Sequence, residues 1–333
     1  MTRYYGVSLL RVVAMMMIVL CHIAYYVDTS WMAQFLNVGV YVFLLISGWL
    51  YSTKVIQNGK TWIIQRWEKL CIPVLIWIAM VIIYSAVVEH ETPFASDVLL
   101  HLFNLQGASW VFTWFPAVRI DGILAGCINL WFVTVMMMCY GLVLLVKRNE
   151  RAIKVRPVMS VLAIAAFIAF AQLGINLAYF ICFFIGYFWG KEKSKTTWKN
   201  YGSMSVAMVA AMACRLISRS LFDDTVMYNV VIVGITHTVL ALWLFYTVLM
   251  YEQKSNSVER MVNGKFIKLA DQYSYYIYIT HDFFLSERFG LRNMIPGTIP
   301  QLLLFSVLTL CTAFIVKYTT EFSLERLNKK VME

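Results

Sequence analysis

Charge is what this sequence has least of. Asp, Glu, Lys and Arg make up 14% of its 333 residues, against roughly a quarter in a soluble domain. That shortage excludes an ordinary water-facing surface, and it is explained if lipid replaces water as the solvent for most side chains. Disulfide and metal frameworks are lacking too. The seven cysteines (Cys21, Cys71, Cys127, Cys139, Cys182, Cys214 and Cys311) stand singly within apolar stretches, with no CxxC pair and no Cys/His cluster. They read as small core hydrophobes, and no metal site is expected. With 16% aromatic residues and 18 Met, a long disordered segment is not expected either. No cleavable signal is expected, because the first apolar stretch is as long as a full span and lacks a small-residue cleavage site.

What remains is apolar: 61% of the residues, with a mean hydropathy of +0.70. A helix needs about 20 mostly apolar residues to cross a bilayer. Ten stretches qualify: Val7–Ala24, Val38–Tyr51, Leu70–Val88, Cys127–Val146, Val158–Ala171, Leu177–Gly190, Ser203–Ile217, Tyr228–Met250, Phe266–Leu285 and Pro300–Tyr318. The expected fold is an all-α, polytopic transmembrane bundle forming a single membrane domain over residues 1–333. Ten spans place both termini on one side.

The net charge of +10 is distributed very unevenly. Of the 28 Lys and Arg residues, all but Arg119, Arg215, Arg219, Arg288 and Arg292 fall in loops or ends on one side of the expected membrane. The positive-inside rule makes that side, and the termini, cytoplasmic in a multi-pass cell-membrane protein. Topology therefore accounts for the basic character, and no nucleic-acid module is present to suggest another partner. The longest outer segment, Glu89–Gly126, carries Trp110, Phe112, Trp114 and Phe115. It reads as an interfacial segment anchored by aromatic rings, with a lid or acceptor platform as the second reading.

An ionisable side chain inside a span costs roughly 2.5–3.5 kcal/mol for Arg at the helix centre, so such residues face a cavity or a partner. Arg11 and His22 share the first span. Eleven residues at about 100° each bring them within about 20° of the same direction, about 16 Å apart along the axis. Each has a plain explanation, snorkelling for Arg11 and a neutral interhelical hydrogen bond for His22. Their common face favours an aligned polar track, Arg11 toward the cytoplasm and His22 toward the outside. In the ninth span Ser274, Tyr278 and His281 also share a face, with His281 near the depth of His22. His237 has no polar companion in phase and reads as a packing histidine. Arg66 and Lys69, one turn apart before Pro73, read either as membrane anchors or as a polyphosphate clamp.

Together these residues resemble the integral-membrane acyltransferase family 3, which includes O-acetyltransferases that decorate surface polysaccharides. The family's Arg-x10-His is matched by Arg11 and His22, and its second-helix signature by Gly39-Val-Tyr-Val-Phe-Leu-Leu-Ile-Ser-Gly48-Trp. Its basic R-x-x-R pair appears as Arg66-Trp-Glu-Lys69, its Leu-Trp-Phe as Leu130-Trp131-Phe132, and its late S-Y-x-x-Y-x-x-H as Ser274 through His281. The resemblance runs from Tyr5 to about Lys317. It departs at Lys69, where lysine keeps the charge but loses the bidentate fork of arginine. The soluble esterase-like domain of some relatives is not expected.

The resemblance implies a membrane-bound O-acyltransferase that takes an acyl group from cytoplasmic acyl-CoA and delivers it to an external glycan or other hydroxyl acceptor. Acetyl-CoA is the implied donor substrate, and no permanently bound cofactor is implied. His22 becomes the general base. Arg66, Lys69 and Arg11 become donor-binding groups, with Arg11 also beside the chemistry. His281, Tyr278 and Ser274 become orienting groups, and Trp131 either stacks on a sugar or packs against a helix. An exporter or carrier of a glycan or small solute is the alternative, and it would not release free CoA.

Overall fold

The computed structural model describes residues 4–93, 95–107, 122–148, 176–192, 198–222, 225, 227–287 and 289–332. Among them there are helices and no strands. The chain runs through α1 (Tyr5–Tyr26), α2 (Ser30–Leu36), α3 (Val38–Ser52), α4 (Gly59–Tyr84), α5 (Ala95–Leu102), α6 (Trp131–Arg148) and α7 (Ala178–Glu192). It continues with α8 (Trp198–Phe222), α9 (Val233–Lys254), α10 (Ser257–Asn263), α11 (Lys265–Leu285), α12 (Leu291–Met294) and α13 (Thr298–Met332). A 3-10 turn over Gly122–Leu130 leads into α6, and a π-turn over Met227–Ile232 leads into α9.

Among the described residues, seven helical stretches are long and apolar enough to cross a membrane: Tyr5–Tyr26, Ser30–Ser52, Gly59–Glu89, Gly126–Lys147, Asn200–Phe222, Met227–Lys254 and Thr298–Arg326. The sixth expected span is a shorter apolar helix over Ala178–Gly190. The ninth, α11, has 21 residues but carries Lys265, Lys268, Asp271 and Asp282, which lower its hydropathy. The fifth, Val158–Ala171, lies outside the described residues, as do Trp110, Phe112, Trp114 and Phe115. The second span is longer than its sequence pattern, because α2 and α3 follow one another with only Asn37 between them.

Local chemistry sets the helix boundaries. The Asn58 side chain accepts a hydrogen bond from the Thr61 N–H at 3.1 Å and caps the start of α4. Asp28, with φ 60°, turns the chain out of α1 into α2. After α5, Asn104 and Gln106 are buried and donate to the Val133 and Leu130 carbonyls at 3.4 and 3.2 Å. The Gly107 N–H donates to the Thr134 hydroxyl at 3.0 Å. This stretch of the outer segment is thus pinned onto the beginning of α6 rather than resting on the surface.

The core is built around α3. Its two motif glycines are nine residues apart, which at about 100° per residue puts them on opposite faces. Gly39 faces α1, where an added methyl would press on the Ala14 carbonyl and Ile18. Gly48 faces α7, where it would run into the Phe183 carbonyl, and Gly186 of α7 meets the Leu45 carbonyl in return. Removing side chains at these points lets the backbones touch, which is the usual means of helix association where no hydrophobic force separates protein from lipid. α1 also packs along α11, which in turn packs on α13, while α8 packs on α9 and leaves most of its length exposed.

The close crossing predicts a sharp contrast between two glycines. Gly186→Val should broaden the size-exclusion profile in detergent and lower thermal stability by about 1–3 kcal/mol or more. Gly141→Ala, where an added carbon meets nothing within 4 Å, should leave both unchanged.

Candidate active site

The first span and α11 run side by side in one register. Arg11 donates to Asp271 through Nε and a terminal nitrogen, both at 2.9 Å. Three turns further along, His22 Nδ1 lies 2.6 Å from Asp282 Oδ1. Asp271 and Asp282 are separated by the same eleven residues as Arg11 and His22, so the two pairs form rungs between parallel helices. Arg11 therefore has a carboxylate partner and does not simply snorkel. Neither aspartate is among the site residues expected from the family motifs, although the only acids within the ninth expected span are these two. The matched spacing was the available signal.

At the His22 rung the groups divide sharply by exposure. The His281 ring lies edge-on to His22 with centroids 4.9 Å apart, and it is wholly buried. Its Nδ1 sits 2.8 Å from the Tyr278 carbonyl and 3.2 Å from the Ile277 carbonyl. Both partners are acceptors, so Nδ1 carries the proton and Nε2 keeps a lone pair. That Nε2 is buried without a hydrogen-bond partner. The His22 side chain keeps 27% of its surface and opens, with Asp282, onto a cavity of about 620 Å³. Tyr25, Tyr26, Asp28 and Ser286 are also in its wall. At the rim, Arg292 donates to the Tyr26 carbonyl, lies over the Tyr26 ring and approaches Asp28 at 3.7 Å.

Three other expected site residues serve the scaffold. The Tyr278 hydroxyl donates to the Asn129 carbonyl, and the Asn129 amide donates to the Tyr278 carbonyl at 2.6 Å. This reciprocal clamp ties the start of α6 to α11. Ser274 donates to the Asp271 carbonyl of its own helix at 2.9 Å. Trp131 packs against Tyr179 with ring centroids 4.8 Å apart and is not in the cavity wall.

The cations lie at the other end. The Tyr275 hydroxyl donates to the Leu70 carbonyl at 2.6 Å, which sets the first half of α4 level with the Arg11 rung. Arg66 there donates to the Tyr51 hydroxyl at 2.8 Å. Its guanidinium and the Lys54 ammonium lie 5.7 and 5.8 Å from the Tyr51 ring centre. Burial pushes the Lys54 ammonium below its usual pKa, and the positive charges of Arg66 and Lys69 push it the same way. Among the described residues no carboxylate pairs with Lys54, Arg66 or Lys69, so this end holds uncompensated positive charge. Lys54 lies in the connection between α3 and α4, ahead of Arg66 and Lys69 on α4, and was not among the expected binding residues.

One expectation is corrected. His237 is not without polar company: its Nε2 lies 2.6 Å from an Arg215 terminal nitrogen and 2.9 Å from the Gln34 carbonyl. Arg215, counted with the outer loops by its position in the sequence, is buried within α8 at 2% exposure. Periodicity within a single helix does not reveal this, because the partner comes from another span.

Comparison with protein families matches residues 4–318 to the family described as an acyltransferase domain. No curated protein and no solved structure matches the chain.

The rung geometry predicts a measurable coupling at the half-exposed pair. In a double-mutant cycle of Arg11→Gln and Asp271→Asn, followed by thermal unfolding in detergent, the pair should show about 1 kcal/mol of interaction energy. Additive single effects would mean that the two side chains do not hold the helices in register.

Proposed function

The chain belongs to the membrane acyltransferase family 3, and we propose that it carries an acyl group, acetyl in the simplest case, from cytoplasmic acyl-CoA to a hydroxyl of an extracytoplasmic glycan or other surface acceptor. The observation that carries this reading is the His22–Asp282 hydrogen bond. It faces a cavity about three helical turns from a cluster of unpaired cations. The two ends suit the two substrates, and the cytoplasmic membrane is where both are within reach. The cationic end, with Lys54, Arg66 and Lys69, faces the cytoplasm by the positive-inside rule and holds the phosphates of CoA. An anion seated there offsets the repulsion that Arg66 and Lys69 add to the effect of burial on the Lys54 ammonium. Tyr25 and Tyr26 with Ser286 and Asp28 give the opposite cavity the aromatic and hydrogen-bonding surfaces that suit a sugar.

The reaction follows from the proton positions. Asp282 accepts the hydrogen bond from His22 Nδ1, which fixes the tautomer with a lone pair on Nε2. Nε2 takes the proton of the acceptor hydroxyl as its oxygen attacks the thioester carbonyl. The tetrahedral intermediate collapses with cleavage of the C–S bond, and the CoA sulfur leaves with the proton held by His22. Asp282 stabilises the imidazolium in between, as a carboxylate does for histidine in other acyl-transfer sites. Arg11, bonded to Asp271, stands level with the cationic end on the side facing His22 and positions the donor arm. His281 is a positioning residue, since its ring braces His22 from the buried side. A carrier would have no use for a histidine oriented in this way, and it would leave the thioester intact.

Inverted membrane vesicles supplied with radiolabelled acetyl-CoA test the assignment. His22→Ala should abolish transfer and release of free CoA while the protein remains monodisperse, and full activity in that variant sinks the proposal. Asp282→Asn should lower turnover on the order of 10²–10⁴-fold, the usual contribution of positioned acid–base catalysis. Arg66→Ala should weaken acyl-CoA binding roughly 10–100-fold, as expected for a lost charged hydrogen bond. Lys69→Arg should preserve or strengthen that binding.

A further inference from the structure

We propose that His22, His281 and Asp282 also form a binding site for a divalent metal ion of the zinc type, and that filling it shuts transfer off. One donor atom from each of the three residues lies within 4.8 Å of the others. Zinc bonds of about 2.0–2.2 Å to nitrogen and oxygen place tetrahedral ligand atoms roughly 3.4 Å apart. Small rotations of side chains on two helices already held in register are enough to close that gap.

The decisive group is His281. Its Nδ1–H is turned back onto the carbonyls of its own helix, and its Nε2 lone pair is buried without a partner beside His22. A histidine that ligates a metal is oriented in the same manner, with its second nitrogen donating to a backbone carbonyl. Two imidazoles and one carboxylate favour zinc, cobalt or nickel over magnesium and calcium, which prefer all-oxygen shells. Asp282 adds a carboxylate oxygen to the two imidazole nitrogens, a mixed donor set suited to a dication of this kind. The open side is the cavity that His22 and Asp282 line, and it leaves a coordination position for water. Occupation has to open the 2.6 Å His22–Asp282 bond, so affinity should fall below that of a structural zinc site. An ion so placed takes the orientation, or the lone pair, that His22 needs as a base. This consequence rests on the proposed role of His22, whereas metal binding itself does not.

The test uses the full chain, purified in detergent with its affinity tag removed and stripped by a chelator. After dialysis against micromolar zinc, mass spectrometry of the metal should count one zinc per chain. Cobalt in its place should give the visible absorption of a low-symmetry, four- or five-coordinate ion. His281→Gln and Asp282→Ala should each remove both signals, and His90→Gln, in an exposed turn, should keep them. No zinc above the blank, no cobalt spectrum, or binding unchanged in His281→Gln overturns the site; the wild-type spectrum decides the matter even if a variant fails to fold. In vesicles, micromolar zinc should inhibit transfer reversibly upon chelation. Zinc bound without inhibition overturns the shut-off and leaves the site. Absence of transfer in metal-free vesicles would instead overturn the acyltransferase reading, leaving the metal count standing.

Discussion

Two polar contacts across one pair of helices set the geometry on which everything else in this bundle depends. Arg11 with Asp271 and His22 with Asp282 are equally spaced along α1 and α11. Because side chains of parallel helices meet again only after whole turns, satisfying one rung largely fixes the register of the other. The cost of leaving an ionised group unpaired in the membrane makes slippage expensive. A one-residue shift would rotate a carboxylate away from both partners at once. The pairing thus does for α1 and α11 what hydrophobic burial cannot do in lipid, where apolar faces gain little by meeting.

Close packing completes what the rungs begin. Gly39 brings α3 against α1, and Gly48 with Gly186 brings it against α7. α1 thus packs on both α3 and α11, and the Asn129–Tyr278 clamp anchors α11 to the start of α6. The residues of the late serine–tyrosine–histidine motif consequently divide into two kinds. Ser274 and Tyr278 are spent on holding the helix, while His281 reaches the His22 ring. A motif shared across a family can therefore record the scaffold as well as the chemistry.

Polarity is separated along the bundle for a physical reason. In the proposed reaction, positive groups at one end and a histidine–carboxylate pair at the other place attraction for an anionic substrate far from the atoms that need a neutral base. Were Lys54, Arg66 and Lys69 beside His22, their charges would disfavour the imidazolium formed during transfer. Distance between the two stations would protect both proposed functions, and a long flexible donor is the kind of substrate able to span it.

How much was legible before the tertiary structure follows from what repeats in one dimension. Hydropathy and helical periodicity determined the all-α membrane class and the common face of Arg11 and His22, and the order of motifs determined the family, because each depends only on spacing along one chain. The pairing of Arg11 with Asp271, the His22–Asp282 contact, the addition of Lys54 to the cationic end and the burial of Arg215 against His237 were decided by tertiary structure alone. They join residues up to 260 positions apart, and no local pattern specifies which helix stands beside which. Even the scaffold role of Tyr278 depends on a carbonyl of another helix. Sequence set which residues were costly to bury, and the packing of the helices decided which partners made that cost tolerable.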